Sequence, residues 1–220
     1  MKKKIVTIDE FKKKKEKKNQ LNKKRNDYTS VLQLKIALVD IKPVVWRSIQ
    51  VPGNYTFWDL HCAIQDAMGW YDAHLHEFII KDKHIAIPDD EFTDDFPETK
   101  LNEKDEKIID NITEKKYSFG YIYDFGDGWE HKITLEKILP REKGVVYPRC
   151  LKGKRACPPE DCGGPWGYEN LLEIIKNPEH KEYEGMMEWL GVEDEEYDPE
   201  YFDPSDIYFY DPEKAWQERV

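Results

Sequence analysis

Apolar and polar residues alternate from Leu32 to Leu38, with Leu32, Leu34, Ile36 and Leu38 in phase, which predicts a strand. Pro43 interrupts the pattern. It resumes over residues 44–51 as a second strand, closed by the turn chemistry of Pro52-Gly53-Asn54. The period then changes. Phe57, Leu60, Ile64, Ala67 and Met68 fall on one helical face, with Thr56 as N-cap, Asp59 in the first turn and Gly69 at the end. Residues 74–80 and 84–87 read as two strands joined by a turn at Lys81-Asp82-Lys83. Tyr117, Phe119, Tyr121, Tyr123 and Phe125 alternate along another strand. Gly126-Asp127-Gly128 supplies a tight hairpin, and residues 129–138 return with Trp129, His131, Ile133 and Leu135 in phase.

Residues 140–167 are rich in Pro, Gly and Cys and read as one long irregular connection, either functional or held by its own internal links. Two helices follow. One covers residues 168–176. The next is expected to start at the cap Asn177 with Pro178 in its first position, and to end at Gly191. Asp198-Pro199, Asp203-Pro204 and Asp211-Pro212 mark short helices or turns in an acidic, aromatic tail. The pattern predicts a single compact α+β domain over 28–220, with an antiparallel-rich sheet and helices packed on one side. Adjacent strand residues face opposite ways, so Trp46 is expected in the core and Arg47 at the surface or paired with an acid.

Charge divides the chain. The net charge is −11 overall and +8 over residues 1–27, so the remainder carries −19. Residues 1–27 therefore read as a lysine-rich, disordered arm suited to nucleic acid or another acidic partner, and the acidic body as suited to a basic protein partner. Residues 88–106 hold nine Asp/Glu and two Lys and read as solvated surface. No stretch approaches the roughly 18 apolar residues of a membrane span, and no apolar run follows the first lysines. The expectation is a cytoplasmic protein with reduced cysteines and no membrane partner.

A series of motifs resembles a known family. In order they are Pro43-Val44-Val45-Trp46-Arg47, Leu60-His61-Cys62-Ala63-Ile64, Gly69-Trp70 and His74-Leu75-His76-Glu77-Phe78. Then come Tyr123-Asp124-Phe125-Gly126-Asp127-Gly128-Trp129-Glu130-His131, Cys157-Pro158-Pro159-Glu160-Asp161-Cys162-Gly163-Gly164, Gly167-Tyr168-Glu169 and Trp189-Leu190-Gly191. Together they resemble the plasmid pRiA ORF-3-like family, whose members are also labelled passenger proteins of insertion elements. The resemblance implies a compact α+β domain found on bacterial and archaeal chromosomes and mobile elements, with no agreed activity. A resolvase label carried by some members finds no support here, because no activated serine motif or arginine set for phosphate chemistry is evident. Asp124-Phe125-Gly126 matches a kinase string without the Gly-rich loop, strand lysine or catalytic loop that give it meaning.

Three sets of residues suit chemistry. Cys150, Cys157 and Cys162 lie close in sequence, though without the tight C-x₂-C spacing, and suit a zinc clip with His180, His131 or Asp161 as a fourth ligand; otherwise they are packed thiols. Four histidines, His61, His74, His76 and His131, form the second set: His74 and His76, two apart on a strand, suit a metal, and His131 points inward as a core histidine. Asp124, Asp127, Glu130, Glu160 and Asp161 form a carboxylate group: Asp124 and Glu130, with Glu160, suit cation binding or acid–base work, whereas Asp127 reads as a turn residue and Glu160-Asp161 otherwise as a cap for loop amides. The reading that results is a non-catalytic binding or interaction module linked to mobile elements or nucleic acid. Its alternatives are a metal-dependent hydrolase using His74, His76, His131, Asp124, Glu130 and Glu160, and an adaptor with an acidic surface.

Overall fold

The structure, a computed structural model, describes residues 28–87, 100–112, 114, 116–191 and 197–219. The lysine-rich residues 1–27 and most of the acidic segment, residues 88–99, lie outside the described residues. The strands are β1 (Ser30–Leu38), β2 (Trp46–Pro52), β3 (His76–Ile80), β4 (Lys83–Ala86), β5 (Lys100–Asn102), β6 (Ser118–Tyr123), β7 (Trp129–Pro140) and β8 (Arg149–Lys154). The helices are α1 (Phe57–Met68), α2 (Ile108–Asn111), α3 (Gly164–Ile175), α4 (Tyr183–Leu190) and α5 (Pro212–Arg219), with a 3₁₀ turn at Pro204–Asp206.

All eight strands form one sheet in the order β5-β4-β3-β6-β7-β1-β2-β8. Every neighbouring pair is antiparallel except β4 and β5. Alternation builds the core: Phe119, Tyr121 and Tyr123 of β6 and Trp129, His131, Ile133 and Leu135 of β7 are buried. Helix α1 closes over this face. The Thr56 hydroxyl accepts from the Asp59 amide and the Asp59 carboxylate accepts from the Thr56 amide, a complete capping box. Phe57 then packs on Phe78 and Phe119, with ring centroids 5.0 and 6.1 Å apart.

Four details depart from the sequence reading. The irregular region contains β8, an edge strand on β2. Helix α3 begins at Gly164, four residues early. Helix α4 begins only at Tyr183, because the Asn177 side chain takes the Glu179 amide and bonds from His180 to Asn177 and from Tyr183 to His180 close two successive turns. Arg47 lies inside, 3% exposed, while Trp46 is half-buried. The residue paired with Arg47 on β8 is Gly153, which leaves room for the guanidinium to lie 4.2 Å from the Phe202 ring. Its Nε donates to the Ala67 carbonyl in the last turn of α1, at 3.0 Å, where a cation is favoured.

Candidate metal centre

Three loops meet at one end of the sheet. They are residues 70–75 after α1, the β6–β7 hairpin tip Asp124–Gly128, and the loop 157–164 before α3. Trp70 organises the meeting: it stacks on Tyr123 at 5.0 Å and its Nε1 donates to the Pro158 carbonyl at 2.9 Å. Glu160 then ties the loops together, with one carboxylate oxygen accepting from the Tyr123 hydroxyl and the other from the Tyr71 amide at 2.7 Å. The Tyr123 hydroxyl also accepts from the Ala73 amide at 3.0 Å. Gly164 lets the third loop press against the hairpin. Its φ is +68°, and a Cβ there would lie 2.2 Å from the Asp127 carbonyl oxygen. The Gly163 amide donates to Asp127 Oδ2 at 3.2 Å.

This convergence brings His74, Asp124 and Asp161 together, with one ligand atom from each lying within 4.8 Å of the others. His74 Nε2 is 3.0 Å from Asp161 Oδ1 and 3.7 Å from Asp124 Oδ2. The nitrogen is shielded from solvent yet makes no contact of hydrogen-bond geometry. Asp124 Oδ1 is taken by the amides of Gly126 and Asp127, at 2.9 and 3.3 Å, so Oδ2 is the oxygen presented to the cluster. Asp124 and Asp161 both have left-handed backbone, φ 56° and 57°, a conformation aspartate tolerates better than most side chains. One imidazole and two carboxylates suit a divalent cation such as Mn²⁺ or Zn²⁺. Tyr71, Leu75, Phe125 and Trp166, in or beside these loops, are exposed, Tyr71 and Trp166 each at 88%.

A second group, His61, Asp72 and His76, lies deeper. Its imidazole rings stack 3.4 Å apart and parallel within 3°. An imidazole binds a metal along a lone pair in its own ring plane, and two planes so spaced do not meet at one ion. The group works instead as a hydrogen-bond cluster. Burial holds the Tyr121 phenol well above its ordinary pKa, and its hydroxyl shares a hydrogen bond with His61 Nδ1 at 2.8 Å. His61 Nε2 in turn meets Asp72 Oδ1 at 2.8 Å. His76 Nε2 meets Glu103 Oε2 at 2.7 Å. Glu103 belongs to the segment expected to be solvated surface, yet it is fully buried. The reason is tertiary: its backbone joins Ala86 and Trp58, which carries the carboxylate under α1 to His76.

The other candidates occupy different places. His131 is buried, with Nδ1 donating to the Trp129 carbonyl at 3.0 Å, and burial lowers its pKa to about 4. Glu130 is exposed on the opposite face of β7. The structure therefore brings together His74, Asp124, Glu160 and Asp161, and leaves His76, His131 and Glu130 apart from them. Cys150 lies on β8 beside the Ser48 carbonyl, and Cys157 and Cys162 lie in the loop before α3. Burial raises all three thiols, Cys162 to about 12. His180 is in the turns before α4, where its Nδ1 accepts the Glu182 amide. Neither His/carboxylate group includes a cysteine or His180. Asp72 and Glu103 carry no sequence signal for their roles beyond being acids near turns.

An α+β domain on one mainly antiparallel sheet, with three motif-bearing loops gathered at one end, is the class these features define. Within that class the chain belongs to the plasmid pRiA4b ORF-3-like protein family, whose profile matches residues 30–206. It is 38% identical over 166 residues to Uncharacterized protein y4hQ of Sinorhizobium fredii (strain NBRC 101917 / NGR234), covering 75% of this chain and 83% of that one. The crystal structure of MM3350, a protein of unknown function from Methanosarcina mazei Go1, matches with a TM-score of 0.74 and 47% identity, covering 83% of this chain and 99% of that one. Among the described residues no helix is long and apolar enough to cross a membrane.

Proposed function

We propose that this domain is a non-catalytic binding module that takes its ligand through a divalent cation held by His74, Asp124 and Asp161. The observation that carries the reading is the shielded His74 Nε2, which faces two carboxylates without a hydrogen bond. Three protein ligands leave coordination positions for an oxygen of a bound partner. The exposed rings of Tyr71, Phe125 and Trp166 supply apolar surface near the cation. Binding is favoured over hydrolysis because Glu160 has both oxygens engaged in holding the loops, so it is not free to act as a base. In the same reading, the positive charge of residues 1–27 suits an acidic partner and the acidic remainder a basic one.

Mn²⁺ titration of the full chain, followed by electron paramagnetic resonance, tests this. One ion per chain is expected, with at least about tenfold weaker binding in His74→Ala and in Asp124→Asn while the circular dichroism spectrum is kept. Equal binding by the folded variants, or none by the parent chain, would remove the proposal.

A further inference from the structure

On the other side of Tyr71 and Asp72, a cavity of about 350 Å³ opens between α1 and the C-terminal segment, a volume typical of small-ligand sites. Its far wall is held firmly. Trp58 Nε1 donates to the Pro212 carbonyl at 2.9 Å, Trp58 meets Trp216 edge-on at 5.1 Å, and the Tyr210 amide donates to Asp66 Oδ2 at 3.0 Å. The lining joins two kinds of group: the aromatic residues Trp70, Tyr71 and Tyr210, and acids that include Asp66 and Asp72. Lys214 is the one cationic residue among the described residues lining it. No described Lys or Arg forms an ion pair with Asp66. Burial pushes the Asp66 carboxyl up to about 6, the Tyr210 amide opposes the rise, and Asp72 adds to it.

A carboxylate without an ion-pair partner among the described residues, beside aromatic rings in a concave site, is suited to an organic cation. A bare metal ion is served less well, because neither metal-type group includes Asp66. We infer that this cavity binds an aliphatic ammonium group, with its charge against Asp66, in the negative field of Asp72, and its carbon chain along Trp70, Tyr71 and Tyr210. The chemistry is shared by free polyamines and by lysine side chains. The inference stands independently of the cation at His74: Tyr71 borders both sites, but none of His74, Asp124 and Asp161 lines this cavity.

Calorimetric titration of the full chain in EDTA with spermidine and with Nα-acetyl-lysine amide tests it, with 1,5-pentanediol as the uncharged control. Saturable one-to-one binding of an amine and none of the diol is expected. Asp66→Asn keeps the acceptor for the Tyr210 amide and should weaken binding by about tenfold. Tyr210→Ala removes an exposed ring and should weaken it several-fold. Spermidine binding much more tightly than the lysine amide identifies a free polyamine as the ligand. Equal or weaker binding identifies a lysine side chain. No saturable binding of either amine to the parent chain overturns the inference, as does binding unchanged in both variants.

Discussion

His131 carries a pH dependence that can be read from its surroundings. It is 2% exposed between Tyr121, Trp129 and Trp70, and burial lowers its pKa from 6.5 to about 4. The unfolded chain therefore binds the proton more readily than the folded one between those values. Stability falls as pH drops below the unfolded value, until the folded imidazole itself protonates near 4. From pH 7 to pH 5 this group removes about 2 kcal/mol. Asp66 acts with the opposite sign, since its raised carboxyl makes the folded state bind the proton more readily between 3.8 and about 6. Comparison with His131→Gln separates the two: urea unfolding at both pH values should show a shallower loss in the variant. An identical loss would place the titration on another residue.

At the level of elements, the decisive contacts are between loops and the ends of regular structure. The 157–164 loop reaches the hairpin tip only because Gly164 allows a left-handed backbone at a point where Asp127 leaves no room for a Cβ. Gly164→Ala should displace this loop and with it Asp161. Mn²⁺ affinity is expected to drop at least about tenfold, and the cost in stability should stay near 1–3 kcal/mol, the usual size of local backbone strain. Paired metal titration and urea denaturation would check both. Unchanged metal affinity would show that Asp161 does not depend on this approach. Elsewhere the same logic is at work: Arg47 enters the core because Gly153 lies opposite it and a helix end offers carbonyls.

For the whole molecule, net charge sets the response to salt. The chain beyond residue 27 carries −19, and a compact state so charged repels itself. The ion pairs that Lys or Arg make with Glu among the described residues involve exposed or partly exposed glutamates, so screening them costs little. Raising NaCl from about 10 mM to about 300 mM shortens the screening length severalfold. The thermal midpoint should rise by roughly 2–4 °C, the equivalent of about 1 kcal/mol in a chain of this length. A fall would show that attraction between unlike charges outweighs the repulsion.

The elements with a strong local signal were legible in the amino-acid order. Period-two apolar runs marked β1, β6 and β7, the Thr56 cap and the Gly69 stop marked α1, and Gly126-Asp127-Gly128 marked the hairpin. These depend on neighbours within a few residues, so the chain itself determines them. The motif series likewise determined the family. Elements whose reason lies far away were not legible. β8 is a strand because β2 offers an edge, and Glu103 is buried because β4 and α1 carry it to His76; the late start of α4 has a local cause instead, since Asn177 closes a turn where a helix cap was expected. The metal-type site is divided in the same way. His74 and Asp124 were visible as candidates. Their meeting with Asp161, and the parting of His74 from His76, were decided by three loops converging over Trp70 and Tyr123. Which side chains share a site is a matter of long-range packing, and local periodicity holds no record of it.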